Sequence, residues 1–277
     1  MEKREKLEIK PIDVEEIIKT ENSGILKKMP RFAVNIVKKI IHQDDLNRVM
    51  LKYPNEIGPD FLKAVLKEFE ITLDIKGLEN LPEHKKCFFA ANHPFGVIDG
   101  LILTYIVSSK YGGLKAIANE AFMYVPQLHP FIIKINVFDG SSKEYLMALE
   151  KTYNQDIAIT HFPAGIVSRK IKGVVQDGAW QKSFIKKAIS SQRDIVPIYF
   201  HGQNSKLFYR VSSIRNFLRI KTNVELILFP REMLRKRGET IKVTIGEPIP
   251  YTKFDKSHTH VEWAQKVRDL VYNLSKM

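Results

Sequence analysis

Apolar residues recur at helical spacing through the first quarter of the chain, then give way near residue 71 to short β-rich runs separated by helical stretches. Residues 11–70 read as helical. Within residues 25–42, Leu26, Met29, Phe32, Ala33, Ile36, Val37, Ile40 and Ile41 keep helical spacing, with Lys27, Lys28, Arg31, Lys38 and Lys39 among them. This predicts a basic amphipathic helix with a start or a kink at Pro30, suited either to packing on a core or to lying in a lipid interface. The sequence Asn55-Glu56-Ile57-Gly58-Pro59 predicts a break before a further helix. From residue 71, strands are predicted over 71–76, 87–91, 114–118, 132–138, 157–162, 195–200, 223–229 and 241–245, and helices near 98–110, 142–153, 179–190 and 257–275. The last helix would carry Val261, Ala264, Val267, Leu270, Val271 and Leu274 on one face. Alternating strands and helices predict an α/β sheet covered by helices. The expected organisation is a helical region over residues 1–70 followed by an α/β domain over 71–277. Ligands in such sheets sit outside the carboxyl ends of strands, so the segments just after strands are where chemistry is expected.

Composition narrows the picture. The chain has 277 residues, 44% hydrophobic and 27% charged, enough for one large core with a small appendage. The lone Cys87 precludes a disulfide within the chain, argues against a cysteine-based zinc site and fits a reducing compartment. No signal-peptide apolar region follows the opening MEKREKLEIK. No run of about 18 apolar residues occurs; the nearest, over residues 87–107, is interrupted by Asn92, His93, Pro94 and Asp99. A cytoplasmic protein without a spanning helix is therefore expected, with no metal and no cofactor. The formal charge of +13 is concentrated in residues 169–242, which hold 17 Lys or Arg against 5 Asp or Glu. Such a surface suits anionic lipid, an acidic carrier protein, phosphorylated substrates or nucleic acid, and charge alone does not choose among them.

Two segments that follow predicted strands carry candidate chemistry. The first is Ala91-Asn92-His93-Pro94-Phe95-Gly96-Val97-Ile98-Asp99-Gly100. A histidine between Asn and Pro is out of place in a core, and Pro94 with Gly96 predicts a tight turn. Asp99 at the helix entry can act as an N-cap, or can accept from one ring nitrogen of His93 and so free the other to take a proton. The second segment is Thr160-His161-Phe162-Pro163-Ala164-Gly165-Ile166-Val167-Ser168-Arg169-Lys170, a turn with Ser168, Arg169 and Lys170 as anion donors or as a solvated basic surface. His161 and His201 read as structural or site-lining residues. His258 and His260 are weak evidence for a metal.

Together the two segments resemble the glycerophospholipid acyltransferase superfamily, whose members carry N-H-x4-D and then F-P-E-G-T-R-S. Here the first block is the longer N-H-x5-D, as in the hemolysin-like acyltransferase branch, which includes enzymes of glycine-lipid and ornithine-lipid synthesis. The resemblance covers roughly residues 70–250. It implies a central mixed sheet, His93 and Asp99 as catalytic residues, and Asn92, Phe95, Gly96, Phe162, Pro163, Gly165, Ser168 and Arg169 as substrate-binding. Glu120, in Glu120-Ala121-Phe122-Met123-Tyr124-Val125-Pro126, would help shape the acceptor side, as would Phe138-Asp139-Gly140; Ile195-Val196-Pro197-Ile198-Tyr199 resembles a later, mainly structural block. Ala164 replaces the Glu of the second block, and Arg169 is displaced from the position that holds a phosphate in glycerol-phosphate-using relatives, which favours an amino-acid-type acceptor such as glycine. The implied donor is a thioester of acyl carrier protein or of CoA, the implied place of work the inner face of the cytoplasmic membrane, and the implied reaction direct transfer. The Gly-rich turns would supply N–H donors to the oxyanion. Cys87, in a buried strand, is not expected to be a nucleophile. Competing expectations are transfer to lysophospholipid or glycerol 3-phosphate, thioester hydrolysis, and a non-catalytic basic protein binding lipid or nucleic acid; nucleic acid is not the expected partner.

Overall fold

The computed structural model describes residues 9–20, 30–117, 124–132, 142–220 and 223–276. Its centre is the strand the sequence marks most strongly. Cys87–Ala91 (β2) is buried along its whole length, and its alternating side chains face two different cores. Cys87, Phe89 and Ala91 join one hydrophobic cluster; Phe88 and Ala90 join another. A strand apolar on both faces must be covered on both, which is the condition for a parallel three-layer arrangement. Helices Pro59–Glu68 (α4) and Ile98–Tyr111 (α5) cover one face, through Phe61, Leu62 and Val65 and through Ile102, Leu103 and Ile106. Helices Ser183–Ser191 (α7) and His260–Asn273 (α10) cover the other, through Phe184, Ile185 and Ala188 and through Ala264, Val267 and Val271.

The sheet has six strands in the order β1 (Thr72–Lys76), β8 (Thr240–Ile245), β7 (Asp194–Phe200), β2, β4 (Ala158–His161) and β3 (Leu114–Ala116). β2 pairs parallel with β4 and β7, β3 with β4, and β1 with β8; β7 and β8 are antiparallel. The sheet is therefore mixed and the class α/β, as expected. A two-stranded antiparallel hairpin, β5 (Arg169–Ile171) and β6 (Val174–Gln176), stands apart. Residues 14–68 contribute helices Val14–Thr20 (α1), Arg31–Ile40 (α2), Gln43–Lys52 (α3) and α4. Pro30 precedes α2 at its N-cap, and Gly58, with φ 63°, turns the chain into α4 at Pro59.

Caps fix the helix ends. α10 begins with a capping box between Thr259 and Glu262, and α5 stops at Gly112 in the left-handed region. Helix Ser142–Asn154 (α6) ends on a fully buried cation. The Arg193 guanidinium donates to the carbonyls of Tyr153 and Ile157 at 2.9 and 2.6 Å, and to Gln155. A cation placed there satisfies orphaned carbonyls and the negative helix end together.

Three expectations need correction or restriction. Residues 223–229 are not a strand: Val224–Leu228 is a 3-10 turn leading into helix Phe229–Leu234 (α9), with Pro230 in its first turn. Apolar alternation there reports packing of Leu228 on one side, while the fully buried Glu225 binds two arginines. A further helix, Lys206–Phe217 (α8), occupies basic sequence that carried no expectation. Of the expected strand 132–138, Ile132 makes an isolated parallel bridge to Ala116, and residues 133–138 lie outside the described residues. Residues 25–29 of the expected amphipathic helix also lie outside them.

Candidate active site

The parallel strands β2, β4 and β7 end side by side at Ala91, His161 and Phe200, so the loops that follow them share one edge of the sheet. Asn92 ties two of these ends together. Its side chain accepts from the Phe200 amide at 2.7 Å and donates to the Phe200 carbonyl at 3.0 Å. The amide expected to touch substrate is thus committed to joining β2 to β7.

After Asn92 the chain turns through His93-Pro94-Phe95-Gly96, and Asp99 comes back to the turn from the first turn of α5. His93 Nδ1 lies 3.0 Å from Asp99 Oδ2. The same oxygen accepts the amides of Phe95 and Gly96 at 2.9 and 3.2 Å, while Oδ1 accepts that of Gly100 at 2.9 Å. Asp99 is fully buried and does not cap α5; Val97 occupies the N-cap. It is the hub that closes the turn. A carboxylate only accepts, so the ring proton sits on Nδ1, and Nε2 of neutral His93 carries the free lone pair. The imidazole stacks on Phe162, with ring centroids 3.9 Å apart and planes 19° from parallel, and keeps 15% of its side-chain surface open.

Two of the glycines permit this shape. Gly96 has φ 97°, and a Cβ there would lie 2.7 Å from the Phe229 ring. Gly202, with φ 125°, would place a Cβ 2.6 Å from Phe95. Phe95 is buried beneath these contacts, with Lys236 over its ring and its carbonyl accepting from Asn204. It packs the turn from below.

A second carboxylate holds His93 from the other side. Asp177 Oδ1 accepts the His93 amide at 3.2 Å and the Ser168 hydroxyl at 2.6 Å, and Oδ2 accepts Trp180 Nε1 at 3.0 Å. The Ser168 amide donates to the His93 carbonyl at 2.7 Å. The His93 carbonyl is therefore fixed by Ser168 of the second segment, and its amide by Asp177 beyond it. Burial pushes the Asp177 carboxyl above the usual carboxylate range, against the hydrogen bonds of Ser168, Trp180 and His93. Its own backbone is pinned in turn: its amide donates to the Tyr272 hydroxyl at 2.7 Å, and its carbonyl accepts from Arg268 at 2.8 Å.

The structure sets Ser168 and Arg169, the expected anion donors of the second segment, against carboxylates of the chain itself. Ser168 is buried and clamps His93. Arg169 Nη2 lies 2.7 Å from Glu225 Oε1, its Nη1 donates to the Val167 carbonyl at 2.7 Å, and the guanidinium rests over Phe208. Arg215 Nε lies 2.8 Å from Glu225 Oε2. An arginine locked in a buried ion pair is not free to hold a phosphate. The expected oxyanion donors are also reduced. The amides of Phe95 and Gly96 serve Asp99, and that of Gly165 donates to the Phe162 carbonyl at 2.9 Å. Pro163 is buried within the turn and Gly165 is exposed at its tip. Glu120 lies outside the described residues.

The other titratable candidates stand back. Burial pushes the Cys87 thiol up to about 12. His161 Nδ1 is shut off from solvent without a hydrogen-bond partner, and burial pushes that ring down to about 4. His201 Nε2 lies 2.9 Å from the Thr244 hydroxyl. Sequence reasoning passed over Asp177 and Glu225. One signal was available: acids are rare in residues 169–242, and an acid retained among so many cations tends to be one the fold uses.

The chain belongs to the acyltransferase family, whose pattern it matches over residues 17–277, and it is an acyltransferase of lipid synthesis. Its particular likeness is to lyso-glycine lipid O-acyltransferases. That of Phocaeicola vulgatus is 41% identical over 264 residues, covering 95% of each chain. That of Bacteroides thetaiotaomicron is 38% identical over 264 residues, covering 95% of this chain and 97% of the relative. Among solved structures, the crystal structure of the 1-acyl-sn-glycerophosphate acyltransferase PlsC from Thermotoga maritima aligns with 90% of this chain and 97% of its own, at a TM-score of 0.44 and 14% identity.

Proposed function

We propose that this acyltransferase moves a fatty acyl chain from a thioester of acyl carrier protein or CoA to the hydroxyl of a lyso-glycine lipid, with His93 as general base. The observation that carries the mechanism is the buried Asp99 carboxylate on His93 Nδ1, which leaves Nε2 to accept a proton. The acceptor hydroxyl gives its proton to Nε2 as its oxygen bonds to the thioester carbonyl carbon. The tetrahedral intermediate collapses, the carbon–sulfur bond breaks, and the thiolate takes the proton from His93. Asp99 supports the transient imidazolium without itself becoming protonated. Each proton removed is returned, and the acyl group passes directly from the sulfur to the acceptor oxygen. The acceptor comes from the two relatives, each named an O-acyltransferase of lyso-glycine lipid and matched along nearly all of its length. Oxygen as the attacking atom refines the expectation of a glycine-type acceptor: the glycine is already part of the lipid. The internal ion pair of Arg169 supports an acceptor without a phosphate. Among the described residues no helix is long and apolar enough to cross a membrane, and we place the enzyme on the inner membrane face.

Purified protein given acyl-acyl carrier protein or acyl-CoA, with lyso-glycine lipid, glycine, ornithine, glycerol 3-phosphate or a lysophospholipid, tests this reading. An ester product with lyso-glycine lipid that disappears in His93→Ala is expected. A product formed preferentially on another acceptor overturns the acceptor, and activity indifferent to His93 overturns the mechanism.

A further inference from the structure

Helix α2, hairpin β5–β6, helix α8 and the turn Val224–Leu228 meet around a small core of their own. Val167, Phe208, Tyr209 and Leu228 are its buried centre, and Ile40, Val175, Val211 and Ile227 pack around it. The inward faces of these elements are therefore satisfied. Their outward faces are not polar, as those of a surface helix ordinarily are. On α8 and the residue after it, Leu207, Ile214, Phe217 and Leu218 fall on the side opposite buried Phe208 and Tyr209, and Phe217 is 86% exposed. Val174 of the hairpin and Phe32 of α2 are also exposed, at 59% and 69%. Single exposed apolar residues need no explanation, but a set drawn from adjoining elements does.

Charge supplies the second observation. Lys206, Arg210, Arg219, Lys170, Lys172 and Arg31 are exposed on these same segments. Across residues 31–40, 169–176, 206–220 and 223–228 the one carboxylate is Glu225, and it is buried between Arg169 and Arg215. These segments thus carry no exposed acid of their own: Asp13 and Glu15 beside α2 are paired with Lys38, and the α8 side presents cations and apolar side chains. An acidic protein or a nucleic acid would answer the cations and leave Phe217, Ile214 and Leu218 in water. An anionic bilayer answers both, with headgroup phosphates against the cations and the acyl boundary against the apolar tips.

We infer that this face, centred on helix α8, seats the enzyme on an anionic lipid surface. It adjoins the site: β5 begins one residue after Ser168, which holds the His93 carbonyl, and Phe229, next after the turn, lies against Gly96 of the catalytic turn. Seating there brings the catalytic turn to the plane where a lipid acceptor lies. The functional benefit rests on the lyso-lipid reading, but the docking itself is measured without substrate.

The test is co-sedimentation of the full chain with vesicles of phosphatidylcholine containing about 30% phosphatidylglycerol, and with pure phosphatidylcholine, at low and high salt. The wild-type protein is expected to partition at least about tenfold more strongly onto the anionic vesicles, and less so at high salt. An apolar variant (Ile214→Ser, Phe217→Ser, Leu218→Ser) and a charge variant (Lys172→Gln, Lys206→Gln, Arg210→Gln) are each expected to lose about tenfold in partition. Both should keep the wild-type circular dichroism spectrum and wild-type turnover of detergent-dispersed acceptor. Wild-type partition by the apolar variant overturns the inference, as does failure of the wild-type protein to bind anionic vesicles. So does a charge variant that sediments normally while its KM for acyl-acyl carrier protein rises, which would make this face a carrier-protein dock. If another acceptor proves to be the substrate, the sedimentation result is unaffected.

Discussion

Replacing Glu225 with Gln should cost roughly 3–5 kcal/mol of folding stability, because it leaves two buried guanidiniums without a counter-charge. Glu225 is fully buried, and the Arg169 and Arg215 side chains that share it are 11% and 12% exposed. Gln keeps the shape of Glu and can still accept from one arginine through its carbonyl. Its NH2 group then faces the other arginine, donor against donor. Burial already holds the Arg169 guanidinium below its ordinary pKa even with the carboxylate beside it. The loss compares with a total stability on the order of 5–15 kcal/mol. In a urea titration followed by far-ultraviolet circular dichroism, with a slope of about 3 kcal/mol per molar, the midpoint should fall by about 1 M or more. Replacing all three partners by apolar residues (Arg169→Met, Arg215→Met, Glu225→Leu) should recover most of that, since no charge is then left stranded. A Glu225→Gln midpoint within about 0.3 M of wild type would refute the reasoning, because a pair worth under about 1 kcal/mol behaves as an exposed one. Turnover should fall along with stability, as Arg169 also holds the Val167 carbonyl next to the Ser168 clamp.

Asp99→Asn should lower kcat by roughly 10²–10⁴-fold, since a neutral amide no longer supports the imidazolium, and should lower stability as well, because its NH2 must face either the Gly100 amide or those of Phe95 and Gly96, donor against donor; kcat within threefold of wild type would exclude Asp99 from the reaction. Asp177→Asn should lower kcat by about 10–100-fold with little change in KM, because it loosens the backbone of His93 without touching its ring, and a rise confined to KM would contradict a positioning role. His161 is held down to about 4 when folded, so it binds its proton in the unfolded chain first, and the stability this contributes is full above about pH 6.5 and lost as pH falls toward 4. His161→Phe should flatten stability against pH across that window by on the order of 3 kcal/mol; an unchanged slope would argue that the ring is hydrated. Cys87→Ser should retain activity, and native protein should resist thiol reagents, as the thiol is buried and pushed up to about 12; rapid inactivation by such reagents would count against a buried strand.

The fold was legible where one periodicity governed. β2, fully apolar, reports its surroundings directly in sequence, and α10 does so in part: Ala264, Val267 and Val271 are buried, while Val261 and Leu270 of the expected face are exposed. Residues 223–229 misled because alternation in a short window also arises when Leu228 faces a core and Glu225 faces a pair of arginines. The His93–Asp99 proximity was legible because five residues and one tight turn separate them. The partners that fix His93 in space were not, since Asp177 lies 84 residues away and is joined to it through the packing of loops from different strands. Ser168 and Arg169 were read as anion donors because sequence displays a side chain's capacity and not its neighbours. Only the contacts with Asp177 and Glu225 reveal that this capacity is already taken.

The clamp on His93 bears on the chain during its synthesis. His93 and Asp99 leave the ribosome long before Asp177, and Asp177 is pinned only when Arg268 and Tyr272 have followed. A nascent chain thus holds His93 and Asp99 before the contacts that fix the His93 backbone exist. Tying that anchor to α10 makes the order around the His93 backbone depend on a segment far along the chain.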